Sequence, residues 1–279
     1  MSLGIVFKGP EGIVLAADSR VTLMAQLGGQ MLPATFDNTT KLLRINRHDY
    51  VGVVTYGLGA LGMGPVSPRT AHSYISEFED SLGKKKRFKL VEFAEKLSSF
   101  FMKQWENQKM PKIEDHVKGR GPDMVFLLGG YNADEPYGRV YEIGIPSRPT
   151  PKEWHPGNSF GPVWGGQQEF VGRLIHGFDP NLPGLVQQNL KLTDEQVEKL
   201  KAELSKEIQK KIPYPFLPLQ DCVNLSVLLI QTTMQMQSFY VGLRGVGGEI
   251  DVATITKTGG FQPVREKNVA KLFDRRSNT

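Results

Sequence analysis

Four residues near the start of the chain have types and spacing suited to chemistry: Ser2, Asp18, Arg20 and Lys41. A serine directly after the initiator Met1 is small enough for that Met to be removed. Removal leaves a free α-amine on a residue that also bears a hydroxyl. An α-amine titrates near pH ~8, so it can serve as general base for its own hydroxyl. A lysine beside the amine keeps it neutral by like-charge repulsion, and an aspartate holds the lysine in place. Asp18-Ser19-Arg20 ends one apolar run and Lys41 opens another. The same charges also fit an ordinary ion-pair cluster on a sheet rim, so the types alone leave both readings open.

Other chemistries are poorly served. Gly57-Leu58-Gly59-Ala60-Leu61-Gly62 matches the dinucleotide glycine pattern and follows a strand. The pattern needs a parallel strand after its helix, ending in an acid about 20 residues on, and here a second helix is expected instead. No nicotinamide or other cofactor is therefore expected. One cysteine, Cys222, excludes an intrachain disulfide and suits a reducing, cytoplasmic setting. Five scattered histidines and one cysteine give no metal-ligand spacing, so no metal is expected. The net charge of +5 is diffuse. The one dense basic run, Lys84 to Lys89, carries no nucleic-acid docking motif and reads as a solvated helix connection. No signal peptide and no membrane span are expected from the apolar runs.

These residues need elements to place them. Residues 3–8 and 12–17 form a hairpin around Gly9-Pro10-Glu11-Gly12, and 41–45 and 50–55 form a second one. Helical spacing follows in Ala71 to Leu82 and in Leu90 to Phe101. Strands are expected at 124–128 and 139–143. The proline-bearing stretch from Pro146 to Pro162 reads as an irregular connection, and Phe170 to Ile175 as a helix. Thr193 and Gln196 form a capping box before a charged helix reaching about Lys211. Asp221 is placed to cap a helix over 222–236 that is apolar on most faces, and 250–255 is a last strand. Hairpins rather than βαβ units dominate, which gives an α+β class in one domain over residues 1–279.

Residues 2 to 22, ending in Gly-Ile-Val-Leu-Ala-Ala-Asp-Ser-Arg-Val-Thr, resemble the start of a mature proteasome β-type subunit, an N-terminal-nucleophile (Ntn) hydrolase. Counted from Ser2, Asp18 lies 16 positions on and Arg20 lies 18 on, without gaps. Lys41-Leu42 is similar to the segment holding that family's lysine, after about seven extra residues within 25–38. Tyr50 to Gly57 is similar to its next strand, and Gly247 to Ala253 to its last.

The resemblance implies a four-layer αββα sandwich, with insertions around 146–160 and 180–216 that include a helical segment. It implies a peptidase whose nucleophile is Ser2, with Lys41 tuning the amine, Asp18 orienting Lys41, and Arg20 bracing Asp18. The N–H of Gly57 would hold the oxyanion, and Val21 and Thr55 would wall the substrate pocket. It also implies peptide or unfolded-protein substrates, a homo-oligomeric ring or barrel, and an ATP-dependent unfoldase as partner. Three features depart from the family. The first residue is serine where threonine is usual, and the supporting serine and aspartate fall on Val246 and Leu243. A further supporting serine falls near Gly165-Gly166. Two rival readings follow, an inactive structural subunit and an amidase for small molecules.

Overall fold

The apolar residues of the first hairpin alternate in what they must face, and that alternation sets the architecture. A computed structural model describes residues 2–27, 29–62, 66–84 and 87–267, with side chains omitted for 24–27 and 31. Met1 and the middle of the Lys84 to Lys89 run lie outside the described residues.

The chain opens with β1 (Leu3–Lys8), β2 (Ile13–Asp18), β3 (Val21–Leu27), β4 (Gln30–Phe36), β5 (Leu42–Arg44) and β6 (Val51–Gly57). Two short strands, β7 (Ala60–Leu61) and β8 (Arg69–Thr70), lead into α1 (Ile75–Ser81), α2 (Leu90–Asn107) and α3 (Ile113–Lys118). Next come β9 (Met124–Gly130), β10 (Arg139–Ile145), β11 (Arg148–Trp154) and β12 (Gly161–Gly166). The rest is α4 (Glu169–His176), α5 (Leu182–Leu190), α6 (Asp194–Glu207), α7 (Leu219–Phe239), β13 (Ile250–Thr256) and β14 (Gly260–Arg265).

Two five-stranded sheets result, β12-β1-β2-β13-β14 and β11-β10-β9-β6-β5, and every pairing in them is antiparallel. Side chains alternate across a strand with period two. On β1, Leu3, Ile5 and Phe7 turn to α4 and α7, while Val6 turns to the other sheet beside Val54 and Leu127. On the second sheet, Val51, Val53, Phe126 and Leu128 pack on α1 and α2. Both faces of the central strands are thus covered, and all six residues of β1 and of β2 are buried. Each fully buried Val, Leu, Ile or Phe side chain contributes about 1.5–3 kcal/mol relative to exposure. No helix among the described residues is long and apolar enough to cross a membrane.

The two expected hairpins, the helices near 75, 90, 169 and 194, and the strands near 124, 139 and 250 all form. The capping box is complete, with Thr193 Oγ1 accepting from Gln196 N and Gln196 Oε1 accepting from Thr193 N.

Four expectations need correction. The proline-bearing stretch contains a strand, β11, at the edge of the second sheet. Pro149 and Pro151 sit two apart, so their missing N–H groups fall on one side, which costs nothing at an edge. The helix expected from 222 starts at Leu219 instead, where the Glu11 carboxylate accepts from its N–H, so Asp221 is not the cap. That helix buries mainly one stripe, Cys222 to Gln237 through Ser226, Leu229, Ile230 and Thr233, and leaves Leu228 exposed. Finally, the glycine pattern at 57–62 leads into the β7–β8 pair rather than directly into a helix. Within the basic run, Arg87 is structural: it donates to Tyr131 O at 3.0 Å and stacks 4.4 Å from the Tyr50 ring.

Candidate active site

Asp18 ends β2 with its side chain fully buried and is the hub of the site. Its Oδ1 accepts from the N–H of Leu3 at 3.0 Å and from Lys41 Nζ at 2.6 Å. Its Oδ2 accepts from the N–H of Gly247 at 2.9 Å and of Arg20 at 3.2 Å. Four donors fill the four lone-pair sites of one carboxylate. The hub therefore joins the start of β1, the lysine before β5 and the loop before β13.

Lys41 is almost as buried, and its Nζ also donates to the backbone oxygen of Arg20. Burial pushes its pKa below the ordinary lysine value, and Lys267 and Arg20 push the same way, against the pull of Asp18. A buried cation held this way disfavours a second positive charge beside it. The backbone oxygen of Lys41 accepts from Thr55 N at 2.9 Å, which fixes the lysine to the end of β6.

Ser2, Val21, Lys41, Thr55 and Gly57 line one narrow cleft of about 20 Å³, with Thr39 and Thr40 alongside. That is room for about one water. Ser2 is buried, and its carbonyl accepts from Gln167 N at 2.8 Å just beyond β12. The cleft and the hub thus bring together the residues expected from the sequence, with one change of partner. The Arg20 guanidinium does not brace Asp18. It forms a forked pair with Asp37, Nε to Oδ1 at 2.6 Å and Nη2 to Oδ2 at 2.8 Å. The Arg20 hydrogen bond holds Asp37 below the usual carboxylate range. Asp37 follows β4 and precedes the cleft's threonines, so the fork ties the β3–β4 hairpin to the site. Arg20 serves Asp18 only through its backbone N–H.

Gly57 sits at φ +83°, and a Cβ there would meet the backbone oxygen of Asp123 at 2.1 Å. Gly57→Ala is expected to lower the unfolding free energy by about 1–3 kcal/mol. A urea titration checks this, and an unchanged midpoint would show that the strand exit yields freely.

Sequence reasoning missed a second buried network beside the first. Lys267 Nζ donates to Asp251 Oδ2 at 2.6 Å, to Ser19 Oγ at 3.2 Å and to Thr39 O at 2.9 Å. An acid inside the apolar strand Ile-Asp-Val-Ala was the available signal, since a buried charge needs a partner. Nothing in the sequence marks Lys267. The lone cysteine offers no nucleophile, because burial, with Asp221 and Glu11 nearby, raises the Cys222 pKa to about 11. No group of three or more His, Cys, Asp or Glu able to hold a metal occurs among the described residues.

Two antiparallel sheets with helices packed on them, and a cluster of buried charges at the start of β1, define the overall architecture. A solved structure shares this overall fold: Anbu, a Gly-1 mutant from Hyphomicrobium sp. strain MC1, matches with a TM-score of 0.54 at 13% identity. The match covers 96% of this chain and 86% of that one. No family model matches the sequence, and no curated protein matches it.

Proposed function

We propose that this chain is an Ntn amide hydrolase of proteasome-like type, built as a four-layer αββα sandwich, with Ser2 as nucleophile once Met1 is removed. The observation that carries the reading is the Asp18 hub, which anchors Leu3 N–H and Lys41 Nζ on the same carboxylate oxygen next to Ser2. Ser2 Oγ attacks the amide carbonyl while its own α-amine takes the hydroxyl proton. The N–H of Gly57 holds the oxyanion, and the α-ammonium then protonates the departing amine. Water, activated by the same α-amine, hydrolyses the resulting ester and frees Ser2. Lys41, held by Asp18, keeps the amine neutral by like-charge repulsion.

Peptides are the proposed substrates, in a homo-oligomeric ring or barrel served by an ATP-dependent unfoldase, in the cytoplasm. The narrow cleft favours a second reading, an amidase for short acyl groups. Intact mass, native mass and a panel of aminocoumarin amides separate the readings. Loss of Met1 with cleavage of tri- and tetrapeptide amides in a large ring is the expected result. Cleavage of short acyl amides alone would select the second reading. Retention of Met1 would rule out the mechanism, and no cleavage with Met1 gone would leave a structural subunit.

A further inference from the structure

A cavity of about 580 Å³, distinct from the Ser2 cleft, opens between the two edge strands, β11 of one sheet and β12 of the other. Pockets that bury a small molecule run from about 300 to 1,000 Å³, are mostly aromatic or apolar, and carry a few placed polar groups. This cavity has that make-up. Tyr56, Trp154, Trp164 and Tyr214 supply four aromatic rings, the last from the segment before α7.

Tyr56 is the wall between the cavity and the Ser2 cleft, because it lines both. Its ring packs against Gly165, where a Cβ would come within 2.0 Å of it. The glycine at that place leaves room for the ring, and among the described residues Tyr56 is the only one that lines both cavities.

The charges on the walls are unequal in what they have left to offer. Glu142 is the acid there, and both of its oxygens are taken, by Arg148 Nη1 at 2.7 Å and by Trp154 Nε1 at 2.9 Å. Lys152 Nζ sits 3.8 Å from the centre of the Trp154 ring and has no carboxylate within salt-bridge distance among the described residues. His155 and His176 also line the cavity. Burial lowers the pKa of both, so they add no charge at neutral pH. The walls therefore offer aromatic faces and one uncompensated cation.

We propose that this cavity is a second ligand site, separate from the Ser2 cleft, that takes a planar aromatic carboxylate of one or two rings. The rings stack among Trp154, Trp164 and Tyr214, and the carboxylate meets Lys152. Aromatic stacking gives the affinity and the lysine gives the sign preference.

Calorimetric titration of the full-length protein tests this with three probes of one shape: 2-naphthoate, 2-(aminomethyl)naphthalene and naphthalene-2-methanol. Naphthoate is expected to bind about tenfold more tightly than the amine, with the alcohol between them. Lys152 is exposed, so its replacement spares the fold. Lys152→Ala is expected to weaken naphthoate by about two- to fivefold, and Lys152→Glu to reverse the order of acid and amine. Trp164→Phe keeps the apolar packing and is expected to weaken all three probes. Equal binding of acid and amine, or no binding of any probe at millimolar concentration, would overturn the proposal. So would loss of naphthoate binding in Ser2→Ala, which would put the ligand in the other cleft.

Discussion

Ser2→Ala is expected to abolish amide hydrolysis, with kcat/KM falling about a thousandfold or more while the fold and the hub stay intact. The size follows from what is removed. In the proposed mechanism the hydroxyl forms the covalent intermediate, and losing a nucleophile costs far more than losing a group that positions one. Ser2 makes its backbone contact through its carbonyl, which alanine keeps. Ser2→Thr should retain activity, since the added methyl restricts χ1 without removing the hydroxyl. The pH profile carries a second signature. The α-amine must shed its proton to act as base, so activity should rise with pH on its acidic side. It should fall again as Lys41 loses its charge, below the ordinary lysine range. Progress curves with a cleaved aminocoumarin amide, with Met1 removal confirmed by mass, check all three statements. Activity in Ser2→Ala within tenfold of the parent would refute the mechanism.

Asp18→Ala is expected to carry the largest cost in stability, about 3–5 kcal/mol by urea denaturation. Removing one partner of a buried pair leaves the other charge uncompensated, which costs about this much. Here the loss also strands three backbone N–H groups, those of Leu3, Arg20 and Gly247, so the upper end applies. A domain with a total stability of about 5–15 kcal/mol would keep little of it. Lys41→Met alone should cost less, and the double variant Asp18→Ala with Lys41→Met should cost less than the two single losses added together. Strict additivity would mean that the pair is hydrated rather than buried.

How much of this was legible in the sequence depended on the range of the interaction. The hairpins β1–β2 and β5–β6 are local, and their turn residues and period-two patterns mark them directly. Edge strand β11 is hidden because prolines 149 and 151 read as breakers, and only its place at the sheet margin makes them harmless. Asp18 and Lys41 are visible because one ends an apolar run and the other opens one. Their meeting on one oxygen, 23 residues apart, was an inference from the resemblance alone. The true partner of the Arg20 guanidinium, Asp37, depends on how the β3–β4 hairpin folds back, and no periodicity encodes that. Lys267 reaches Asp251 and Ser19 from beyond the last strand, so its part in the site exists only in three dimensions.

The Asp18 hub also sets when in the life of the molecule the proposed site can be assembled. Asp18 and Gly247 are 229 residues apart in the chain, yet one carboxylate binds the N–H of the second. Ribosomes add about 5–20 residues per second, so roughly 10–45 s separate the synthesis of the two. Throughout that interval the serine, lysine and aspartate are already made, but the carboxylate that organises them lacks its last donor. The four-donor hub therefore cannot be complete until Gly247 has been made and β13 has paired with β2, so the site proposed at Ser2 is assembled late in synthesis.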